Sequence, residues 1–279
     1  MNKVFDIVRD RLIEMLDGDI IPWEKNWFSK DFQNFTSKHS YRGMNTWFCA
    51  FHNEKHGFNS SSFLSFKQTR DLGGTVKKGE HGLSIFYFKL MQKKSNPDEV
   101  FPMWKWSTVF NIEQTNLPAD LAEIPKNLDI IHDDVIEGYS GGPVVKYSEN
   151  YNPCYNSSLD EVHMPLLTQF KDTVSAQATL FHELAHSTGH DSRLERDLKG
   201  GFGSKQYVKE ELTAEITAAY LLQKFGYPVH YENRTAYIQS WKRNLVDTPE
   251  IFLGAASKAE KAADWIIERH IPAAKENVS

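Results

Sequence analysis

The stretch His182-Glu183-Leu184-Ala185-His186 has the residue types of a divalent-metal site with its own base. Four residues make just over one helical turn, so the two imidazoles share a face and can grip one ion. Glu183 sits one position along and reaches a water that such an ion would hold. Coordination lowers that water's pKa, and the carboxylate can take its proton and pass it to a leaving group. The chemistry this spacing predicts is hydrolysis.

Such a pair needs a helix beneath it and a third ligand from elsewhere. Apolar residues at Phe170, Val174, Ala178, Leu180 and Phe181 predict a helix that Leu184 and Ala185 extend and Gly189 stops. A zinc ion takes three protein ligands and keeps a fourth position open for water. One helix face cannot enclose it, so the third comes from a second helix. Residues Glu210 to Leu222, striped by Leu212, Ile216, Ala219 and Tyr220 and ending near Lys224 and Gly226, predict that helix. On it Glu211 and Glu215 lie one turn apart, flanked by Ala214 and Ala218, which permit close approach. His190, four residues past His186, can also face the ion, so spacing alone leaves Glu211, Glu215 and His190 open. The ordinary reading of Glu210, Glu211 and Glu215 is a solvated helix face. An ion that only staples two helices is the competing reading of the histidines, and such a staple has no use for Glu183.

The chain has 279 residues and 40% hydrophobic content, enough for two packed domains. Cys49 and Cys154 lie far apart, which argues against a disulfide framework or a zinc–cysteine cluster. There is no run of 18 apolar residues, and the opening segment Val4-Ile7-Val8-Leu12-Met15-Leu16 is a charged amphipathic helix. A cytoplasmic protein with no membrane partner is expected. Charge divides unevenly, near +4 over residues 1–110 and −9 beyond, within a net of −5.

The basic half is rich in aromatic residues. Trp27, Phe28, Phe32 and Phe35 precede a helix through Trp47, Phe48 and Phe51 to Gly57. A short helix from Phe66 closes at Gly73-Gly74, and Thr75 to Gly82 reads as a strand and turn. The strands Leu83–Lys89 and Met103–Asn111 then pair, with Lys105 and Ser107 on the opposite face from Trp104 and Trp106. Cations beside exposed rings suit a single-stranded nucleic acid, since lysines neutralise phosphates and rings stack on bases for roughly 1–3 kcal/mol each. Lys67, Arg70, Lys77, Lys78 and Lys89 are the candidate phosphate contacts. Tyr41, Arg42 and Asn45 are placed near the binding face, with Gly43 a backbone requirement, while Tyr41 and Arg42 can equally be buried structural residues.

Several motifs resemble the ArdC-type antirestriction proteins, a family carried on conjugative plasmids and related mobile elements. In the first half they are Tyr41-Arg42-Gly43-x-Asn45, Phe66-Lys67-Gln68, Leu72-Gly73-Gly74, Val76-x-Lys78-Gly79-Glu80-x-Gly82 and Val109-Phe110-Asn111-x-Glu113-Gln114-Thr115. In the second half they are His163-Met164-Pro165, Thr179 through His190, Arg193-Leu194-x-Arg196, Glu210-Glu211-Leu212-x-Ala214-Glu215 and Tyr237-Ile238-x-Ser240-Trp241. The resemblance spans nearly the whole chain. It implies a single-stranded-DNA-binding domain over 1–115, a linker over 116–135 and a zincin-like metallopeptidase domain over 136–279. It also implies a role in shielding incoming DNA from restriction. Similarity to glutamate-type zincins makes Glu211 the third ligand and Glu215 the partner that orients a histidine. A zincin further needs a strand edge for an extended peptide, for which Asp160–Pro165 is the candidate, and a polar group for the oxyanion, from His190, His230, Tyr207 or Tyr237.

The fold class expected is α+β, a small mixed sheet-and-helix domain followed by a helix-rich zincin-like one. Three functions compete: a DNA-binding antirestriction protein, an intracellular regulatory metallopeptidase acting on a DNA-associated protein, and a phosphodiester-cleaving enzyme. The third suits a single His/His/Glu ion poorly, because phosphoryl chemistry favours paired metals on aspartates.

Overall fold

A computed structural model describes residues 3–23, 32–93, 96–117, 136–201, 203–229 and, within 239–272, all but 240, 244 and 247. The chain is a mixed α+β structure of two compact units, 1–22 with 27–128 and 23–26 with 129–279.

In the first unit, α1 (Lys3–Asp17) buries Val4, Val8, Leu12, Met15 and Leu16, the three-to-four spacing of one helical face. Helix α2 (Met44–His56) ends on Gly57, whose φ of 71° is the left-handed cap that glycine adopts at least cost. A four-stranded sheet holds β1 (Gln33–Asn34), β2 (Ser62–Ser65), β3 (Leu83–Lys93) and β4 (Asn96–Asn111) in the order β1-β2-β4-β3. Strands β3 and β4 form the expected antiparallel hairpin, with Phe86 opposite Trp106 and Tyr87 opposite Lys105. Phe48 of α2 packs edge-on against Phe86, 5.8 Å between centroids. Ser65 and Gln68 cap α3 (Phe66–Asp71) reciprocally. The strand expected over Thr75–Gly82 is only the single bridge Val76 to Thr115, flanked by bonds from the Lys77 amide to the Gln114 carbonyl and from the Asn116 amide to the Thr75 carbonyl, before the chain turns at Lys77–Glu80.

The motif Asn111 to Thr115 is framework. Fully buried Asn111 donates to Asn53 Oδ1 and to the Ser60 carbonyl, and its Oδ1 accepts from the Glu113 amide. Gln114 bonds Glu80, the His81 carbonyl and the His52 ring. Burial pushes His52 down to about 4 against the pull of Gln114, so it is a neutral packing residue.

In the second unit, β5 (Ile136–Tyr139) pairs with the C-terminal strand, His270–Pro272. Strands β6 (Val144–Tyr147), β7 (Cys154–Asn156) and β8 (Glu161–Met164) form a sheet in the order β6-β8-β7. Helix α5 (Lys205–Lys224) packs against both α4 (Thr173–Ser187) and α6 (Pro249–Ile267). Trp23 belongs to this unit, held between Trp241 and Phe252 at 5.9 and 6.4 Å, with its carbonyl accepting from Gln223.

Local signals set the helix ends differently from expectation. Helix α4 starts at Thr173 because Asp172 caps it, and α5 starts at Lys205, five residues before Glu210, because Ser204 caps it. Gly189 does not stop α4 by a left-handed turn, since Thr188 ends the helix in ordinary helical geometry. Gly189 is instead a close-approach site: a Cβ there would stand 2.8 Å from Leu198 and 3.2 Å from the Arg196 guanidinium. The quoted motif Tyr237–Trp241 and the aromatics Trp27 and Phe28 fall largely outside the described residues. No helix among the described residues is long and apolar enough to cross a membrane.

Candidate metal centre and nucleic-acid surface

Helices α4 and α5 approach closely where Ala185, Ala214 and Ala218 are buried. This brings His182, His186 and Glu211 together, with ligand atoms within 4.8 Å of one another. The two Nε2 atoms face each other at 3.1 Å, and Glu211 oxygens stand 3.6 Å from His182 and 3.7 Å from His186. A regular tetrahedron with bonds of about 2.1 Å has edges of about 3.4 Å, so the two imidazole nitrogens are spaced as neighbours in such a shell, with one Glu211 oxygen toward each ring.

Each imidazole turns its other nitrogen to a second carboxylate. Glu215 lies 3.6 Å from His182 Nδ1, and Glu210 lies 3.2 Å from His186 Nδ1. Burial lowers His182, yet the Glu211 and Glu215 carboxylates outweigh it and raise the ring to about 10. Burial likewise raises Glu210 and Glu211, while the facing imidazoles, with Arg196 at Glu210, hold both carboxyls below their ordinary value. The local field favours positive charge between the rings, as a cation site requires.

Glu210, for which a solvated face was only the ordinary reading, is buried in an ion pair. Arg196 grips both its oxygens at 2.7 and 3.0 Å and also donates to the Thr188 hydroxyl and the Ala185 carbonyl. Arg196 thereby ties the loop after α4 to both helices and fixes Glu210 against His186. The spacing from His186 to Arg196 follows no helical or strand period, so only the quoted Arg193-Leu194-x-Arg196 stretch signalled it. Arg196→Ala leaves Glu210 buried without its cation and is expected to cost about 3–5 kcal/mol. Urea unfolding measures this; a loss below 1 kcal/mol would show the pair to be dispensable.

A cleft of about 430 Å³ opens beside the cluster, lined by Cys154, Tyr155, Glu183, Gln206 and Tyr207 as well as the cluster itself. Glu183 lies in its wall, 8% exposed. Tyr207 faces the same space, near Glu211. Asp160–Pro165 is not the free strand edge expected: β8 is central, paired with β6 on one side and β7 on the other. The strand beside the cleft is β7, which is an edge of its sheet. Arg193 anchors it, since its guanidinium bonds Tyr155 of β7, Asp160, and the Ser187 carbonyl at the end of α4. His190 does not join the cluster, because its Nδ1 bonds Ser192 at 2.8 Å. His230 and Tyr237 lie outside the described residues.

In the first unit, Arg42, Lys67, Arg70, Lys78 and Lys89 are exposed. Lys77 is exposed too, although its ammonium donates to the Glu113 carbonyl at 2.8 Å. Tyr41 is buried and Asn45 half-buried. Tyr41 is 8% exposed and packs edge-on against Phe63, so its ring has no free face. Asn45 spends its amide on both backbone groups of Phe86, at 2.7 and 2.8 Å, in place of a neighbouring strand. Gly43, with φ 59°, precedes α2 and is a backbone requirement, as expected.

Comparison with known proteins agrees with this architecture. Residues 2–116 match the N-terminal domain of anti-restriction factor ArdC, and residues 141–258 match a zincin-like metallopeptidase. A DNA primase TraC of Escherichia coli is 30% identical over 285 residues, 93% of this chain and 26% of the primase. A second TraC is 29% identical over 94% of the chain and 20% of its own length, so the chain spans about a quarter of one primase and a fifth of the other. The uncharacterized protein y4eC of Sinorhizobium fredii is 30% identical over 84% of this chain and 80% of its own length. Crystal structures of the antirestriction ArdC protein from plasmid R388 are 29% identical over 95% of this chain. They cover 96% and 97% of that protein, with TM-scores of 0.66 for the metal-free form and 0.68 for the Mn(II)-bound form. Fold and sequence define a two-part chain whose second part is a zincin-like domain. The chain belongs to the ArdC-type antirestriction family.

Proposed function

We propose that this protein binds single-stranded DNA through its first unit, shields DNA entering on a conjugative plasmid or related element, and acts in the cytoplasm. We take the working division as 1–115 for DNA binding, 116–135 as linker and 136–279 as the metal domain. His182, His186 and Glu211 are assigned as ligands of one divalent ion, Glu215 and Glu210 as the carboxylates that orient the histidines, and Glu183 as the base. The single observation that carries the metal assignment is the convergence of the two Nε2 atoms, 3.1 Å apart, with Glu211, whose two oxygens stand 3.6 Å from His182 and 3.7 Å from His186. A two-imidazole, one-carboxylate set suits zinc, and the relative from plasmid R388 that binds Mn(II) supports a divalent ion in this fold.

Zinc, when bound, supplies Lewis acidity and an acidified water. Glu183 accepts a proton in the cleft and returns it to the departing amine. Tyr207 donates its hydroxyl toward oxygen that gains negative charge. The open edge of β7 offers backbone groups to an extended peptide, and Arg193 holds that edge in place. The second reading, a regulatory metallopeptidase acting on a DNA-associated protein, is favoured by one feature: Glu183 lines the cleft beside the cluster, where a staple would need no base.

Elemental analysis of protein purified without chelator tests the metal assignment. One equivalent of divalent ion, principally zinc, is expected, and His182→Ala should lose it. Wild-type protein with no stoichiometric ion would overturn the assignment.

A further inference from the structure

The exposed aromatic surface of the first unit gathers around α3 and the β3–β4 hairpin. Among the described residues, the exposed large apolar side chains of this unit are Phe66, Leu72, Tyr87 and Trp106. Register puts Tyr87 directly across from Lys105, and Lys89 follows two residues on along the same face. Tyr87 is 45% exposed. Segments 83–93 and 103–111 carry Lys89, Lys93 and Lys105 and no acidic residue; the acidic residues of the hairpin, Asp98 and Glu99, lie at the far end of β4. Strand β2 ends at Ser65, in register with Val109 and, through it, Leu83. Past that row the hairpin runs on without β2, and α3 begins there. Its first residue, Phe66, is 54% exposed, next to Lys67 and one turn from Arg70. Trp106 is set apart: it points to the other face, with the Lys3 ammonium 5.5 Å from its ring.

We propose that Tyr87 and Phe66 are stacking platforms for unpaired bases, flanked by Lys89, Lys105 and Arg70 as phosphate partners, so that this unit selects single strands over duplexes. The proposal rests on the single-strand reading above and adds the site and the means of selection. An exposed ring gains when a base covers it, because both flat apolar faces leave water. Bases in a duplex already cover one another, so the rings discriminate by strandedness. Stacking reads no base edge, and recognition on this surface is sequence-tolerant.

Fluorescence anisotropy of labelled oligo(dT), and of a duplex of equal length, across a salt series tests this. Wild-type protein should prefer the single strand. Tyr87→Ala and Phe66→Ala should each weaken single-strand binding about ten-fold with an unchanged salt slope, while Tyr87→Phe retains it. Lys89→Ala should shrink the slope by about 0.7. Wild-type affinity in Tyr87→Ala with an unchanged melting temperature, or equal affinity for duplex in the wild type, overturns the platforms. No binding of oligo(dT) by the wild type removes them together with the single-strand reading, and the two failures are told apart by that control.

Discussion

On the proposed metallopeptidase reading, Glu183→Gln is expected to keep its metal and to slow peptide hydrolysis about 10²–10⁴-fold. Glutamine has nearly the shape of glutamate and can occupy the same wall of the cleft, but it cannot accept a proton. The three assigned ligand atoms, on His182, His186 and Glu211, are untouched by the change. Cleavage of an unfolded protein probe, measured beside metal content, reads both halves of the expectation. Hydrolysis at the wild-type rate would remove Glu183 as the base. The same variant divides the two functional readings: protection of DNA against restriction that survives the change intact makes catalysis dispensable to it.

The second large effect separates two glutamates that spacing cannot. Glu211 faces the Nε2 atoms of both histidines, whereas Glu215 faces only Nδ1 of His182, on the far side of that ring. Glu211→Ala should therefore abolish stoichiometric binding. Glu215→Ala should weaken affinity by only about 10–100-fold, because an orienting partner acts through the ligand it holds. Competition against a chelator of known affinity gives both values. The reverse order would exchange the two roles.

Some of this site was legible before any fold was known. Residues His182, Glu183 and His186 lie within five positions, and Glu211 and Glu215 within five more; helical geometry alone places each set on one face. Both helices, α2 and the β3–β4 hairpin were legible for the same reason, since periodicity is a local property. Caps such as Asp172 and Ser204 moved boundaries by a few residues without changing which side chains share a face. The surroundings of other residues were not legible, because type does not reveal them. Tyr41 and Asn45 have the chemistry of nucleic-acid contacts, yet Phe63 and the Phe86 backbone claim them first.

By itself, the chain determined the catalytic residue types, the helices that bear them and the strands of the first unit, because neighbours along a backbone keep fixed relative positions. Only the tertiary structure decided which carboxylates face the imidazoles, that Glu210 is buried against Arg196, and that β7 rather than β8 borders the cleft. Those outcomes depend on segments far apart in sequence meeting and excluding water. Burial and electrostatic field exist only once they have met.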